Sequence, residues 1–332
     1  MKRDTILVIG ACGQIGAELV PALRRVHGDL HVVAADLRPP DKDRRSAGPY
    51  VQLDVLNYGA LSALISRYDI NQIYLLAATL SANGEQDPQR AWDLNMQGLL
   101  NVLNLAHEKK LAKIFWPSSI AVFGPDAPQM ACPQEAAKSP VTVYGISKVA
   151  GEQWCQYYWN KYGVDTRSLR YPGLISHSSA AGGGTTDYAV EIFHQAITQQ
   201  RYTCFLKEDT SLPMMYMPDA IRATMELMTA PAAHLSVRTS YNVAAMSFTP
   251  GRLAKAIRQY IPAFAIDYAP DHRQAIADSW PQSIGDAAAR SDWQWDHEYE
   301  LAGTTRDMLH HLIKGRETSL GELSELLSPI FF

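Results

Sequence analysis

Three residues of this chain have side chains suited to removing a proton from an alcohol: Ser119, Tyr144 and Lys148. Because Lys148 follows Tyr144 by four residues, the two lie about one turn apart on the same face of a helix. A free tyrosine has a pKa of about 10, and a nearby cation favours the phenolate. Ser119 can donate a hydrogen bond to the same substrate oxygen. The three residues could therefore take a hydroxyl proton while a hydride leaves the adjoining carbon.

A second Tyr-x-x-x-Lys spacing, at Tyr157 and Lys161, shows that the pattern alone is weak evidence. With 16 tyrosines in the chain, one accidental occurrence is expected. If one helix carries both pairs, Tyr157 lies about 20 Å from Tyr144, so both phenols cannot serve one site. We favour Tyr144 because Ser119 follows a predicted strand and the N-terminus has a nucleotide-binding pattern. Ser119 is also compatible with a simple capping role at that strand end.

The N-terminus carries the glycine pattern of a dinucleotide-binding turn. An apolar run meets Gly10, Gly13 and Gly16, and a helical pattern follows. The first glycine allows a tight turn, the second lets the backbone approach a pyrophosphate, and the third permits close helix–strand packing. A second predicted strand ends at Asp36, where a carboxylate can accept hydrogen bonds from ribose hydroxyls. A 2′-phosphate would meet like charge there, so we predict NAD, while Arg38 leaves NADP as the alternative.

Composition indicates a soluble enzyme. The chain has 332 residues, of which 47% are hydrophobic, and this is enough to bury one large core or two abutting ones. Its net charge of −4 gives no indication of a basic surface. We expect no nucleic-acid partner and no membrane association, because no long like-charge run and no spanning apolar window occurs. The 4 cysteines are scattered and the 10 histidines contain no His-Glu-x-x-His motif. These features predict reduced thiols, a cytoplasmic location and no metal site.

Strand and helix patterns alternate through the first half of the chain. This alternation predicts an α/β fold, a Rossmann-type doubly wound parallel sheet that binds its ligands at the carboxyl ends of its strands. The predicted strands are Thr5–Ile9, Leu30–Ala35, Tyr50–Leu53, Gln72–Ala77, Lys113–Ser118 and Thr166–Tyr171. The predicted helices are Gln14–Arg25, Tyr58–Tyr68, Gln89–Glu108 and Val143–Tyr162.

After about residue 172 the pattern changes to shorter elements around the Gly182–Gly184 segment. Helices are predicted over Asp187–Gln199, Pro218–Thr229 and Pro250–Tyr260. We interpret residues 1–172 as the NAD-binding domain and residues 173–315 as a smaller C-terminal substrate-binding lobe packed on it. Residues 316–332 form an extension with no assigned role.

These patterns together resemble the extended short-chain dehydrogenase/reductase family, relatives of UDP-galactose 4-epimerase, over about residues 5–315. Two segments carry the resemblance to the superfamily: Pro117–Gly124 and Tyr144–Lys148. Four more are similar to the zinc-independent L-threonine 3-dehydrogenases of this family: Leu169–Ile175, Gly184–Ala189, Leu212–Asp219 and Ser279–Pro281.

The resemblance implies a role for each residue at a matching position. The catalytic residues would be Ser119, Tyr144 and Lys148. NAD would contact Gly10, Gly13, Gln14, Ile15, Asp36, Leu37, Arg38, Asp54, Val55, Ala77, Ala78, Asn95, Ser118, Tyr144, Lys148, Tyr171, Gly173 and Ile175. The substrate would contact Ser81, Ser119, Tyr144, Thr186, Asp187 and Trp280.

Several of these residues also suit ordinary structural roles. Asp54 is compatible with a turn, and Asn95 with a cap or bridge within its helix. Ser81 and Thr186 are small polar residues typical of loops. Asp187 suits a helix N-terminus, and Trp280 suits core packing. The three glycines at 182–184 could be a flexible connection or a mobile lid.

The expected reaction is the NAD-dependent oxidation of L-threonine at its β-carbon to 2-amino-3-oxobutanoate. A nucleotide-sugar epimerase or dehydratase would use the same catalytic trio but needs cationic and amide contacts to a diphosphate. Gly173 and Leu212 stand where such relatives have asparagine and arginine. A third possibility is a protein that binds NAD without turnover. We expect a homodimer formed through Gln89–Glu108 and Val143–Tyr162, as relatives commonly do.

Overall fold

The computed structural model of the protein describes residues 4–39, 48–179 and 182–320. In chain order, its strands are β1 (Ile6–Ile9), β2 (Val32–Asp36), β3 (Tyr50–Gln52), β4 (Gln72–Leu75), β5 (Lys113–Phe115), β6 (Ser118–Ser119), β7 (Thr166–Arg167), β8 (Leu169–Tyr171), β9 (Gly173–Ile175), β10 (Arg201–Cys204), β11 (Leu212–Tyr216), β12 (Tyr241–Asn242), β13 (Met246–Phe248) and β14 (Ala265–Tyr268).

The helices are α1 (Gln14–His27), α2 (Tyr58–Arg67), α3 (Ser81–Gly84), α4 (Pro88–Trp92), α5 (Gly98–Lys109), α6 (Val143–Tyr162), α7 (Tyr188–Gln199), α8 (Met217–Thr229), α9 (Pro250–Arg258), α10 (His272–Asp278), α11 (Ala287–Trp293) and α12 (Leu301–Leu320). One π-helical segment, Asp93–Gln97, joins α4 to α5.

A six-stranded parallel sheet with the order β3-β2-β1-β4-β5-β7 forms the centre of the molecule. The four residues of β1 are apolar and at most 1% exposed, because helices cover both faces of the sheet. The predicted Rossmann-type α/β fold is therefore confirmed.

Two predicted strands are each divided between two sheets. In the stretch predicted as Lys113–Ser118, β5 belongs to the main sheet, whereas β6 pairs with β8 in a separate sheet. Pro117 lies between them and has no N–H to donate to a ladder, so pairing stops there. The stretch predicted as Thr166–Tyr171 divides in the same way at Ser168, whose hydroxyl donates to Ser240. As a result, Ser118 and Ser119 are carried away from the main sheet.

The predicted helix Gln89–Glu108 is three consecutive segments, α4, the π-helical segment and α5. Asp87 accepts a hydrogen bond from the Arg90 N–H and Pro88 occupies the first turn, so the helix begins with a standard cap. The π-helical segment contains Asn95, whose side chain bonds both the N–H and the carbonyl of Thr79. The prediction missed this segment because π-helical turns have no clear sequence signature.

The C-terminal part of the chain contains a three-stranded sheet, β13-β11-β9, and a two-stranded one, β10-β14, and we refer to residues 173–315 as the C-terminal lobe. The lobe is joined to the first part of the chain by sheet pairing, since β12 pairs with β8. Helix α12 continues past residue 315 to Leu320, and residues 321–332 of the predicted extension lie outside the described residues. Among the described helices, none combines the length and apolar character needed to cross a membrane.

A buried ion pair ties α6 to β8. The Arg170 guanidinium donates to both carboxylate oxygens of Glu152 at 2.8 Å, and both side chains are fully buried. Glu152 also accepts a 2.7 Å bond from Ser118, and Arg170 donates to Gln134 and Asn242. The charges therefore have nearly complete hydrogen bonding, which a buried pair requires. Glu152 lies one turn after Lys148 on α6.

Replacing Glu152 with Gln should destabilise the protein, because Arg170 would keep a buried charge with no anionic partner. Removing one partner of a buried ion pair typically lowers the free energy of unfolding by about 3–5 kcal/mol. Denaturant unfolding of the variant and the wild type measures this loss. The matched control is Glu226→Gln on α8, which removes the partly exposed pair with Arg222 and should cost about 1 kcal/mol or less. Equal losses in the two variants would contradict a special role for the buried pair.

Candidate active site

A cleft of about 710 Å³ lies between the carboxyl ends of the parallel strands and the C-terminal lobe. It brings together most of the residues predicted for cofactor and substrate. The predicted residues that line it are Gly10, Gly13, Gln14, Ile15, Arg38, Ala78, Ser81, Ser118, Ser119, Tyr144, Lys148, Tyr171, Gly173, Thr186, Asp187 and Trp280.

The glycine-rich turn at one end of the cleft fits a dinucleotide. Gly10 has φ +88°, and a Cβ there would lie 2.6 Å from the Ala77 backbone nitrogen, so only glycine fits. Gly13 caps α1 without a side-chain bond to the first turn, which leaves helix N–H groups for an anion. Among the described residues, the buried Gln14 amide nitrogen has no hydrogen-bond partner. These groups would hold the pyrophosphate and a neighbouring polar atom of NAD.

Asp36 organises the end of this turn. Its carboxylate accepts bonds from the Cys12 N–H at 2.9 Å and the Arg38 N–H at 3.0 Å. The Arg38 guanidinium lies 3.8 Å from the same carboxylate and is 71% exposed. The acid is therefore held against the turn, where it can accept from ribose hydroxyls. The exposed cation beside it is available to a 2′-phosphate once the acid is removed.

Tyr144 and Ser119 meet where α6 begins. Thr142 caps this helix by accepting from the Gly145 N–H at 3.1 Å, which places Tyr144 in its first turn. A Cβ on Gly145 would lie 2.2 Å from the Ala121 carbonyl oxygen, so glycine lets α6 approach the turn after β6 closely. The Ser119 hydroxyl caps the turn by accepting from the Ala121 N–H, and its interaction with the Tyr144 phenol acts to lower the pKa of that phenol. Ser119 therefore has both the capping role and the contact with Tyr144.

Lys148 is almost completely buried, with 2% of its surface exposed. Its Nζ donates to the Pro117 carbonyl oxygen at 2.6 Å and lies 4.4 Å from the centroid of the Trp116 ring. The same atom lies 5.3 Å from the centroid of the Tyr144 ring. The four-residue spacing thus places the amine beside the phenol, as predicted.

The protein alone does not produce the predicted lowering of the tyrosine pKa. Desolvation raises the pKa of Tyr144 to about 12, against the lowering effect of the Ser119 hydrogen bond. Burial also lowers the pKa of Lys148 to about 7, opposed by the charges of Cys155 and Glu152. Both groups are therefore driven towards their neutral forms, because burial disfavours each charge. The prediction that Lys148 activates the phenol by its charge needs this correction for the protein on its own.

Asp187 lies at the start of α7 and holds the glycine segment. One carboxylate oxygen accepts bonds of 2.7 Å from the N–H groups of both Gly183 and Gly184. Burial raises the pKa of this carboxyl, and the two backbone bonds oppose that rise. Asn83 of α3 donates to the Gly182 carbonyl at 3.3 Å from the other side. The segment is therefore ordered by contacts at both ends, unlike a simple flexible connection.

Small hydroxyl groups form the wall beside Asp187. The Ser81 hydroxyl bonds the hydroxyl of Thr185 at 3.1 Å, and both side chains are buried. The sequence analysis named Thr186 as a substrate residue and did not name its neighbour Thr185. Both threonines line the cleft, and Thr185 is the one that contacts Ser81. Trp280 is 5% exposed, lines the cleft and packs in the core of the lobe, so its position suits both substrate contact and packing.

Seven predicted cofactor residues do not line the cleft itself, although Asp36 among them contacts the glycine-rich turn through the Cys12 N–H. Asn95 is buried and bridges Thr79 to Ser147, so it acts as a structural bridge between segments. Asp54 is exposed and its carboxylate accepts from the Leu56 N–H, as expected of a turn residue. Ile175 is fully buried in β9. The other residues in this group are Asp36, Leu37, Val55 and Ala77.

The amino-acid sequence over residues 6–244 matches the NAD dependent epimerase/dehydratase family. The chain belongs to this family. Its cofactor is accordingly NAD, which confirms the prediction from the glycine turn and Asp36. The resemblance to extended short-chain dehydrogenases is confirmed by the same match.

Among similar proteins, curated relatives are named as uncharacterized epimerases/dehydratases, whereas several solved structures are named as L-threonine dehydrogenases. An uncharacterized epimerase/dehydratase from Staphylococcus haemolyticus is 47% identical over 92% of this chain and 96% of its own length. The structure of a GalE-like L-threonine dehydrogenase from Cupriavidus necator is 56% identical, with TM-score 0.91, covering 93% of this chain and 99% of the other. A monomeric L-threonine 3-dehydrogenase from a metagenome is 44% identical, with TM-score 0.91, over 94% and 100% of the two chains.

Replacing Asp36 with Ala should weaken NAD binding and reduce the preference for NAD over NADP. The variant loses an acceptor for the ribose hydroxyls, and a 2′-phosphate would meet Arg38 without a neighbouring carboxylate. We expect the ratio of the two dissociation constants, measured by fluorescence titration, to fall by about tenfold or more, the effect of about 1.4 kcal/mol. In the double variant Asp36→Ala/Arg38→Ala, the improvement in NADP binding relative to NAD should disappear, because the 2′-phosphate no longer meets a cation. An unchanged ratio would remove Asp36 from the cofactor site.

Proposed function

We propose that the protein oxidises L-threonine at its β-carbon to 2-amino-3-oxobutanoate, with NAD as the acceptor. The observation that carries this proposal is the composition of the cleft. It places Ser119, Tyr144 and Lys148 together, with a carboxylate, Asp187, and a group of small hydroxyls on the same wall. A carboxylate suits an ammonium, and hydroxyl donors suit a small polar substrate. The names of the similar solved structures support the same substrate.

The chain's own residues would divide the reaction as follows. Tyr144, once in its phenolate form, takes the hydroxyl proton of the substrate and becomes the neutral phenol, and Ser119 orients that oxygen by a hydrogen bond. Bound NAD supplies the acceptor for the hydride that leaves the β-carbon. Lys148 remains fixed by the Pro117 carbonyl and can donate to a second acceptor, such as a ribose hydroxyl. The Trp116 ring and the burial of Lys148 exclude water from this proton path.

A nucleotide-sugar epimerase or dehydratase fits the cleft less well. Such an enzyme must neutralise a diphosphate on the substrate side. Among the described residues that line the cleft, the cationic side chains are Arg38, beside the cofactor turn, and Lys148, which is committed to the catalytic group. The substrate wall instead carries Asp187, whose charge would repel a diphosphate. This charge pattern favours the amino acid.

A substrate panel tests the proposal directly. Threonine, serine, 3-hydroxybutyrate and UDP-galactose should each be assayed with NAD and with NADP by formation of the reduced cofactor. We expect threonine with NAD to give the highest kcat/KM, because only the amino acids offer an ammonium to Asp187. Thermal protection by UDP-galactose, without threonine-dependent NADH formation, would overturn the proposal in favour of the epimerase. NAD binding without turnover of any substrate would favour a binding protein.

Within this proposal, Tyr144→Phe should lower kcat by about two to four orders of magnitude with little change in NAD affinity, since it removes the proton acceptor. The wild-type kcat should keep rising with pH through about pH 9 without a plateau, because burial raises the pKa of Tyr144 to about 12 and more phenolate forms as the pH increases. The variant should lose that rise. Tyr157→Phe is the matched control. Its ring lies outside the cleft, in an exposed aromatic cluster with Trp154 and Tyr162. A reversal of the two phenotypes would contradict the assignment of the base.

The substrate role of Asp187 has a separate test. Asp187→Asn should raise the KM for threonine by about one to two orders of magnitude, the loss of a charge-assisted bond of about 1.5–3 kcal/mol. NAD affinity should remain within about twofold, because Asp187 lies on the substrate wall. Gly184→Ala is the control for the glycine segment, since a Cβ there would lie 3.0 Å from the carboxylate without removing its charge. If both variants affect serine, threonine and 3-hydroxybutyrate equally, the carboxylate acts only on the loop.

We also propose a homodimer formed by the outer faces of α5 and α6. Helix α6 exposes Ile146, Trp154, Tyr157 and Tyr162, an apolar surface larger than solvent-facing helices usually carry.

The four cysteines are in the thiol form, which agrees with the expected cytoplasmic location. We also propose that residues 1–172 bind the cofactor and that residues 173–315 bind the substrate, because residues from both parts line the cleft.

A further inference from the structure

A cluster of three metal-binding side chains lies outside the reaction site. His177 follows β9, while Asp307 and His311 are four residues apart on α12. One possible ligand atom from each side chain lies within 4.8 Å of those of the other two. The two imidazole rings are stacked, with centroids 4.1 Å apart and planes at 18°. The cluster was not visible in the sequence because His177 is far from the helical pair in the chain.

A buried tyrosine orients two members of this cluster. The Tyr216 hydroxyl donates to an Asp307 carboxylate oxygen at 2.6 Å and bonds Nδ1 of His177 at 2.9 Å. Nδ1 of His311 contacts the Asp307 carbonyl oxygen at 3.0 Å within the helix. With each Nδ1 engaged, each Nε2 is left as the ligand atom, which is how supporting contacts orient histidines at metal sites. The second Asp307 oxygen completes the set.

We propose that His177, Asp307 and His311 form a binding site for a divalent transition metal of the zinc class. Two imidazoles and one carboxylate suit Zn²⁺, and they do not suit Mg²⁺ or Ca²⁺, which prefer oxygen ligands. Tetrahedral zinc with bonds of about 2.0–2.1 Å places its ligand atoms about 3.4 Å apart. Because the ligand atoms here lie within 4.8 Å of one another, the side chains need to close by at most about 1.4 Å. Rotation of the partly exposed His311 can supply that movement. Water would be the fourth ligand.

Metal binding here would act on the segment that leads to the substrate wall. His177 is followed at once by Ser178 and Ser179, which line the cleft, and then by the glycine segment held by Asp187. A metal that joins His177 to α12 would clamp the start of this segment to the last described helix.

The experiment uses the full chain without a histidine tag. Binding of Zn²⁺ is measured by isothermal titration calorimetry, and Co²⁺ serves as a spectroscopic probe whose visible bands report tetrahedral coordination. We expect one Zn²⁺ per chain, a rise in the thermal unfolding midpoint with Zn²⁺, and no such rise with Mg²⁺. Since these readouts do not depend on turnover, they remain valid whichever substrate the enzyme uses.

Variants locate the site. His177→Ala and His311→Ala should each weaken Zn²⁺ binding by about a hundredfold, and Tyr216→Phe by about ten- to a hundredfold through loss of the orienting contacts. The control is His234→Ala, which removes an exposed imidazole outside the cluster and should leave the affinity unchanged. Circular dichroism and NAD affinity establish that each variant is folded.

The affinities of these variants decide whether the metal binds at this cluster or elsewhere on the protein. Zn²⁺ affinity that is unaffected by His177→Ala and His311→Ala would overturn the proposal and place the metal elsewhere, for example on the cysteines. Loss of affinity in His234→Ala would do the same.

Discussion

The active-site end of this fold depends on keeping the Lys148 amine inside the protein beside Tyr144. A buried ammonium is costly unless hydrogen bonds and nearby charges compensate. The Pro117 carbonyl and the face of Trp116 provide part of that compensation, and Glu152 lies one turn further along α6. These contacts require α6 to lie close against the ends of β5 and β6.

The buried pair of Glu152 and Arg170 connects this requirement to the remaining architecture. Glu152 also accepts a hydrogen bond from Ser118, the residue before Ser119. This carboxylate therefore connects α6, which carries Lys148, to β6, which carries Ser119. Arg170 lies on β8, which pairs with β6 on one side and with β12 of the C-terminal lobe on the other. The division of the predicted strands at Pro117 and Ser168 is what makes this arrangement possible. The positions of Ser119 and Lys148 and the attachment of the lobe therefore depend on the same contacts.

The substrate wall follows a different principle. Its carboxylate and hydroxyls are held by contacts with main-chain groups and with one another, as in the bonds from Gly183 and Gly184 to Asp187. The wall belongs to a segment that begins at His177 and ends at α7, and the cluster of His177 with α12 lies at its start. The chain therefore runs directly from the cluster on α12 to the residues that line the cleft.

Local patterns in the sequence determined much of the framework. The glycine turn after β1, the acid at the end of β2 and the limits Val143–Tyr162 of α6 were predicted, because each depends on residues close together in the chain. The spacing of Tyr144 and Lys148 also placed the amine beside the phenol, since a helix fixes that distance.

Only the tertiary structure decided the electrostatics and the partners. The pKa values of Tyr144 and Lys148 depend on burial, which comes from packing by Trp116 and the strand ends far away in sequence. The bridge from Asn95 to Thr79, the pair of Glu152 with Arg170 and the meeting of His177 with α12 join residues that no local pattern relates. Sequence periodicity specifies faces of helices and strands, whereas long-range contacts and desolvation exist only after those faces have packed.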